Sequence, residues 1–277
     1  MKRKYFLILA GIVLLAFANP AASDGFSYDD YAAVLSAYVN DEGLVDYAAL
    51  SENRGNLDAF ATALATLDGK SYERWSEGEK VAFWINVYNG LTLQLIVDRY
   101  PIESSIIRSV VFPKSSIMQI PGAWKKVTFE VMGEHMTLDS IEHEILRARF
   151  DEPRIHMALV CAALSCPILR NEPYVAQRLD EQLNDQARMF LENENKFRID
   201  RDGGVVRLSK IFDWFAEDFV DRYGTGDPPG KRSEKTQAVL NFIRGYLNAT
   251  DAQYLATGDY RIKHLKYDWT LNEKTDA

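Results

Sequence analysis

Positive charge is in short supply in this chain. It has 32 Lys and Arg against 40 Asp and Glu, a net charge of −8. No basic stripe is available to neutralise phosphates, which excludes a general nucleic-acid binder. Long apolar runs are absent after the first 18 residues, so no later segment is expected to span a bilayer. There is no GxSxG elbow, no Gly-rich phosphate loop and no HExxH. Serine-hydrolase, nucleotide-binding and zincin chemistries therefore have no support. Internal repeats are lacking as well. Cysteine is nearly absent, with only Cys161 and Cys166, and the four histidines are few enough to be considered one by one.

What is present begins with an export signature. Lys2, Arg3 and Lys4 precede an apolar run from Tyr5 to Ala18, and small residues follow at Ala21, Ala22 and Ser23. This reads as a signal peptide over residues 1–23, too short for a comfortable membrane span. A periplasmic or secreted protein is expected, with no stable span once the signal is cleaved. In such a compartment thiols tend to be oxidised. The remaining residues, 24–277, read as a single globular domain.

Periodicity predicts a helix-rich chain. Helices are expected over 27–39 and 56–67, and from Ser76 to about Arg99. Ser76 and Glu79 stand at capping-box spacing there. That long helix is apolar on nearly all sides, so it is predicted to be buried and central. Asn86 and Asn89 lie on it and must find partners, because an unpaired buried polar group costs about 1–3 kcal/mol. A hairpin is expected around Gly133, then a helix over 139–150 and a strand over 154–160. Further on come a helix from 174 to about 194, a hairpin around Gly203-Gly204, helices over 210–222 and 234–247, and a strand-like tail over 261–272. Residues 224–230 read as a surface loop. The fold class is α+β: one helix-rich domain with a small, mostly antiparallel sheet packed on the long central helix.

Reactive side chains concentrate in RIHMALVCAALSCPILR (154–170) and just upstream of it. Cysteine catalysis needs a thiolate, a base to take its proton and a third group to orient that base. Cys166, in the loop beyond the predicted strand, is the nucleophile candidate. His143 and His156 are the candidate bases, and Glu142, Asn86 or Asn89 could orient one of them. Strand alternation would put His156 and Cys161 on opposite faces. The same cysteines and histidines could supply four zinc ligands, but their spacing matches no standard motif. No metal or cofactor is expected. His135 and His264 read as surface or packing residues.

Four segments carry a resemblance: FWINVYNGLTLQ (83–94), IEHEILR (141–147), the 154–170 stretch and YDWTLN (267–272). Together, and in this order, they resemble the domain of unknown function 547 family, with a core over about residues 75–195. The resemblance implies a fold unit and an exported bacterial setting. It transfers no reaction and no catalytic residue.

Two functions are compatible with these residues. The first is a cysteine-dependent hydrolase or acyl transferase, papain-like or transglutaminase-like. It would act on an amide or thioester of a small molecule or peptide. The second is a non-catalytic binding or envelope-scaffold module. In it a Cys161–Cys166 disulfide clips the loop, and the partner is another envelope protein.

Overall fold

The structure is a computed structural model that describes residues 25–224 and 232–275. The predicted signal segment, and the 224–230 loop beyond Gly224, lie outside the described residues.

The molecule is assembled on the helix Glu77–Val97. The Ser76 hydroxyl accepts from the Glu79 amide and the Glu79 carboxylate accepts from the Ser76 amide, which completes the capping box. Sixteen of its 21 residues are buried, as its all-round apolar sequence requires. Helix Gly55–Thr66 packs against it with Leu57, Phe60 and Leu64 buried, and helix Asp29–Tyr38 packs on Gly55–Thr66 with Tyr31 against Phe60. The approach of Gly55–Thr66 to the central helix depends on Gly90: a β-carbon there would stand 2.4 Å from Phe60 Cε1. Phe60 is itself stacked on Tyr31 at 4.6 Å and has little room to yield. Gly90→Ala is expected to lower stability by about 1–3 kcal/mol through overpacking, read as a fall in the urea midpoint. A midpoint that rises would contradict this account of the contact.

Both buried amides find backbone partners. Asn86 accepts from the Tyr174 amide at 2.9 Å and donates to the Tyr174 carbonyl at 2.8 Å. Asn89 donates to the Ala158 carbonyl at 3.0 Å and accepts from the Val160 amide at 2.9 Å. This second pair accounts for a correction to the sequence reading. Residues 154–160 do not form a strand. Pro153–Met157 is a tight 3-10 turn, with Pro153 at its start and the Glu152 carboxylate accepting from the Arg154 amide. The apolar run beyond it is irregular. Its backbone is satisfied by Asn89 and by Gln186, which donates to the Met157 carbonyl.

The sheet content is small and split in two. Strands β1 (Phe129–Val131) and β2 (Glu134–Met136) form the hairpin expected around Gly133. Strands β3 (Phe197–Asp200) and β4 (Val205–Leu208) form the second hairpin. Strand β5 (Arg261–His264) adds to β4 in parallel. The helix-rich α+β class is the one observed. The aromatic segment 210–222 is broken into short turns at Ile211–Trp214, Ala216–Phe219 and Val220–Tyr223. A helix at Ala249–Thr257, capped by Asn248, was not anticipated.

Two buried clusters result. One surrounds the central helix; the other gathers Met157, Phe190, Phe212, Phe219 and Phe242. Tyr267 packs against both. It belongs to the C-terminal tail, which lies along the cysteine loop. The tail carbonyls of Thr270 and Asp268 accept from the Leu164 and Ser165 amides, and the Asn272 amide donates to Ala162. Val45 N–H donates to the Asn272 carbonyl, tying the N-terminal region to the same tail.

Candidate functional site

Where the clusters meet, a cavity of about 540 Å³ opens. Its wall is aromatic. Tyr267 and Trp269 rings lie 4.6 Å apart, Trp214 and Tyr267 4.8 Å, and Trp124 and Trp269 6.1 Å. Such surfaces take flat or apolar ligand faces. Trp214 is 46% exposed, and Phe215 is half-buried. Phe83, Trp84, Tyr88 and Phe212 are buried in the core, whereas Phe215 packs against the second cluster and lines the cavity with Trp214.

Glu142 and His143 reach the cavity from a widened helical turn, Ile141–Leu146, in which the Arg147 amide donates five residues back to the Glu142 carbonyl. Glu142 is buried. Burial pushes its carboxyl up to about 7, with the Tyr88 hydroxyl partly opposing by hydrogen bonding to the carboxylate. A proton on Glu142 therefore exchanges near neutral pH, the range suited to general acid–base work.

Behind the cavity a charged relay runs through four side chains. Asp218 accepts from Arg147 Nε at 2.5 Å and Nη2 at 2.7 Å, and from His156 Nε2 at 2.7 Å. Burial alone would raise the Asp218 carboxyl. The hydrogen bonds from Arg147 and His156 outweigh it and hold Asp218 well below the usual carboxylate range. An ionised carboxylate only accepts, so His156 carries a proton on Nε2, and when neutral its lone pair is on Nδ1. Burial lowers the His156 pKa, and Asp218 works against that effect. Its ring is stacked on Phe215 at 4.1 Å. His143 is different. Arg147 Nη1 donates to its Nδ1 at 2.6 Å, so that lone pair is already engaged. Burial first, then the Arg147 charge, lowers its pKa.

Cys161 and Cys166 stand at disulfide distance, with Cα atoms 6.1 Å apart. The Tyr267 hydroxyl lies 3.3 Å from one sulfur and 3.2 Å from the other. Within their loop Ala162 has a left-handed φ of 57°, strained for a residue with a β-carbon. Beyond it, Lys196 donates to the Cys166 carbonyl, and burial lowers its pKa to about 8. A bridge across five positions closes a small loop. Reduction is therefore expected to cost only about 2 kcal/mol and to leave the chain folded, as circular dichroism and urea unfolding with and without reductant would read. Unfolding on reduction would contradict this estimate.

Thus Glu142, His143, His156, Cys161 and Cys166 share one cavity. The strand alternation that separated His156 from Cys161 does not hold, because no strand forms there. Asn86 is corrected too. Both ends of its amide are bound to Tyr174, so it orients neither histidine. The residue that orients His156 is Asp218, 62 positions away. Sequence reasoning did not find Asp218, Arg147 or Tyr267 as site residues. The acidic Glu217-Asp218 pair inside an aromatic run was the only local sign of the first. Among the described residues, no three His, Cys, Asp or Glu side chains stand together as a metal site. No described helix is long and apolar enough to cross a membrane.

Fold and site together define a helix-rich α+β protein with an aromatic cavity that holds a near-neutral carboxyl and a histidine–aspartate pair. Residues 72–191 match the family described as "Protein of unknown function, DUF547", and this segment of the chain belongs to that family. No curated protein and no solved structure matches the chain.

Proposed function

We propose that this is an exported enzyme that hydrolyses or transfers the acyl group of a small amide or thioester bound in the aromatic cavity. One observation carries the reading: Glu142, poised at about 7, the His156–Asp218 pair and Cys166 converge on a single cavity. The bridged cysteines are the resting form, opened by a dithiol reductant. The Cys166 thiol then gives its proton to His156, and the thiolate attacks the substrate carbonyl carbon. The bond to the leaving amine or thiol breaks as Glu142 protonates it. Water then attacks the acyl-enzyme carbonyl, losing a proton to the Glu142 carboxylate; the bond to Cys166 sulfur breaks, the sulfur takes back the proton held by His156, and the acid is released. Periplasmic or secreted placement is supported by the Lys2-Arg3-Lys4 segment and its apolar run.

A second reading is favoured by the disulfide distance itself. In it the pair is a permanent clip, and the cavity only binds. Turnover of acyl thioesters and p-nitroanilides, with and without dithiothreitol, separates the two. The enzyme reading expects activity only after reduction. It expects a loss of about 10²-fold or more in Cys166→Ser and Glu142→Gln. Turnover that neither reductant nor Cys166→Ser alters would sink it. So would a Cys166 that resists alkylation below about pH 8 once reduced.

A further inference from the structure

Four large aliphatic side chains project into solvent on the stretch that carries Arg108, a lining residue of the cavity. Ile106 is 89% exposed, Ile107 83%, Val110 84% and Val111 74%. Among the described residues only Leu164 and Trp214 join them as exposed large hydrophobics, and both are less exposed. The loop that carries these four is tethered. Buried Gln119 accepts from the Ser105 amide at 3.1 Å and donates to the Pro113 carbonyl at 2.9 Å. Arg108, between the two aliphatic pairs, donates to the Met118 carbonyl at 2.8 Å, and both residues line the cavity.

Charge identifies the occupant. Residues 104–126 contain Arg108, Lys114, Lys125 and Lys126 and no carboxylate, in a chain whose net charge is −8. Lys125 lies 3.6 Å from Asp139, outside that segment. A protein interface core favours aromatic, Met and Arg side chains in a fitted patch. Here protruding β-branched aliphatics share one segment with four cations, the pattern of a segment that seats in the headgroup layer of an anionic bilayer. We infer that the 104–126 loop docks this protein on a lipid surface bearing anionic headgroups and so presents the cavity mouth to the bilayer. This docking does not depend on the reaction proposed above, and it involves no spanning segment.

The test is cosedimentation with phosphatidylcholine vesicles, alone or containing about 30% phosphatidylglycerol. The protein is used as the cell processes it. Any contribution of the N-terminal apolar segment is then common to parent and variants. The expected result is binding at least about tenfold stronger to the anionic vesicles, weakened in about 0.5 M salt. Ile107→Asp with Val110→Asp should remove it, and Lys114→Glu with Lys126→Glu should abolish the anionic preference. These positions are exposed, so circular dichroism should be unchanged in both variants. Equal binding by parent and the double-Asp variant would overturn the inference. So would self-association lost in that variant with no vesicle binding by the parent, which would make the loop a protein contact.

Discussion

Glu142→Gln is expected to raise stability by about 3 kcal/mol at about pH 8 and to change it little at about pH 4. The folded carboxyl titrates at about 7 because burial penalises its charge, against 4.5 for the free group. Below 4.5 both states hold the proton and the residue costs nothing. Between 4.5 and about 7 the unfolded chain ionises first, so stability falls as pH rises. Above about 7 both states are ionised and the penalty is constant, about 3 kcal/mol for that gap. The glutamine amide cannot ionise and keeps an oxygen for Tyr88. Urea midpoints of parent and variant, measured across this range, should therefore converge in acid and diverge in base. Parallel curves would mean that Glu142 is not the buried acid described above. Gain of stability with loss of turnover would mark a site where a buried charge is retained for chemistry.

The second large effect is expected at Asp218. Replacing it by alanine removes the acceptor of two Arg147 hydrogen bonds and one from His156. It leaves a partly buried guanidinium beside two histidines. The loss should be about 2–3 kcal/mol, less than for a fully buried pair because both Arg147 and Asp218 retain some solvent contact. His156 also loses the charge that opposes its desolvation, so its pKa should fall further. Nuclear magnetic resonance titration of the imidazole reads that shift directly, and a merely structural role for Asp218 would not produce it. Asp218→Asn, which keeps one acceptor oxygen, should recover part of the stability and little of the pKa. An unchanged His156 titration in Asp218→Ala would refute the relay.

Much of the scaffold was legible in the chain. The capping box at Ser76 and Glu79, the all-apolar helix behind it and both hairpins are local signals. Each sits within a few residues of the structure it specifies. The two buried asparagines were legible as a demand for partners, though not as the partners themselves. The class of fold followed from these elements, because amphipathic helices and short strands must bury their apolar faces against one another.

The 154–160 segment shows where local reading ends. A short, largely apolar segment fits a buried strand or an irregular core segment equally well, since period alone does not separate them. The choice fell to Asn89, which supplies from another helix the hydrogen bonds a neighbouring strand would have made. The site follows the same rule. The sequence by itself singled out the candidate side chains: Cys166, His143, His156 and Glu142. Tertiary structure alone decided that His156 answers to Asp218, that Tyr267 touches both sulfurs, and that Asn86 serves Tyr174. Those partners lie 62 to 106 positions apart. No periodicity or motif links residues so distant; only the meeting of two separately buried clusters brings them within hydrogen-bond reach.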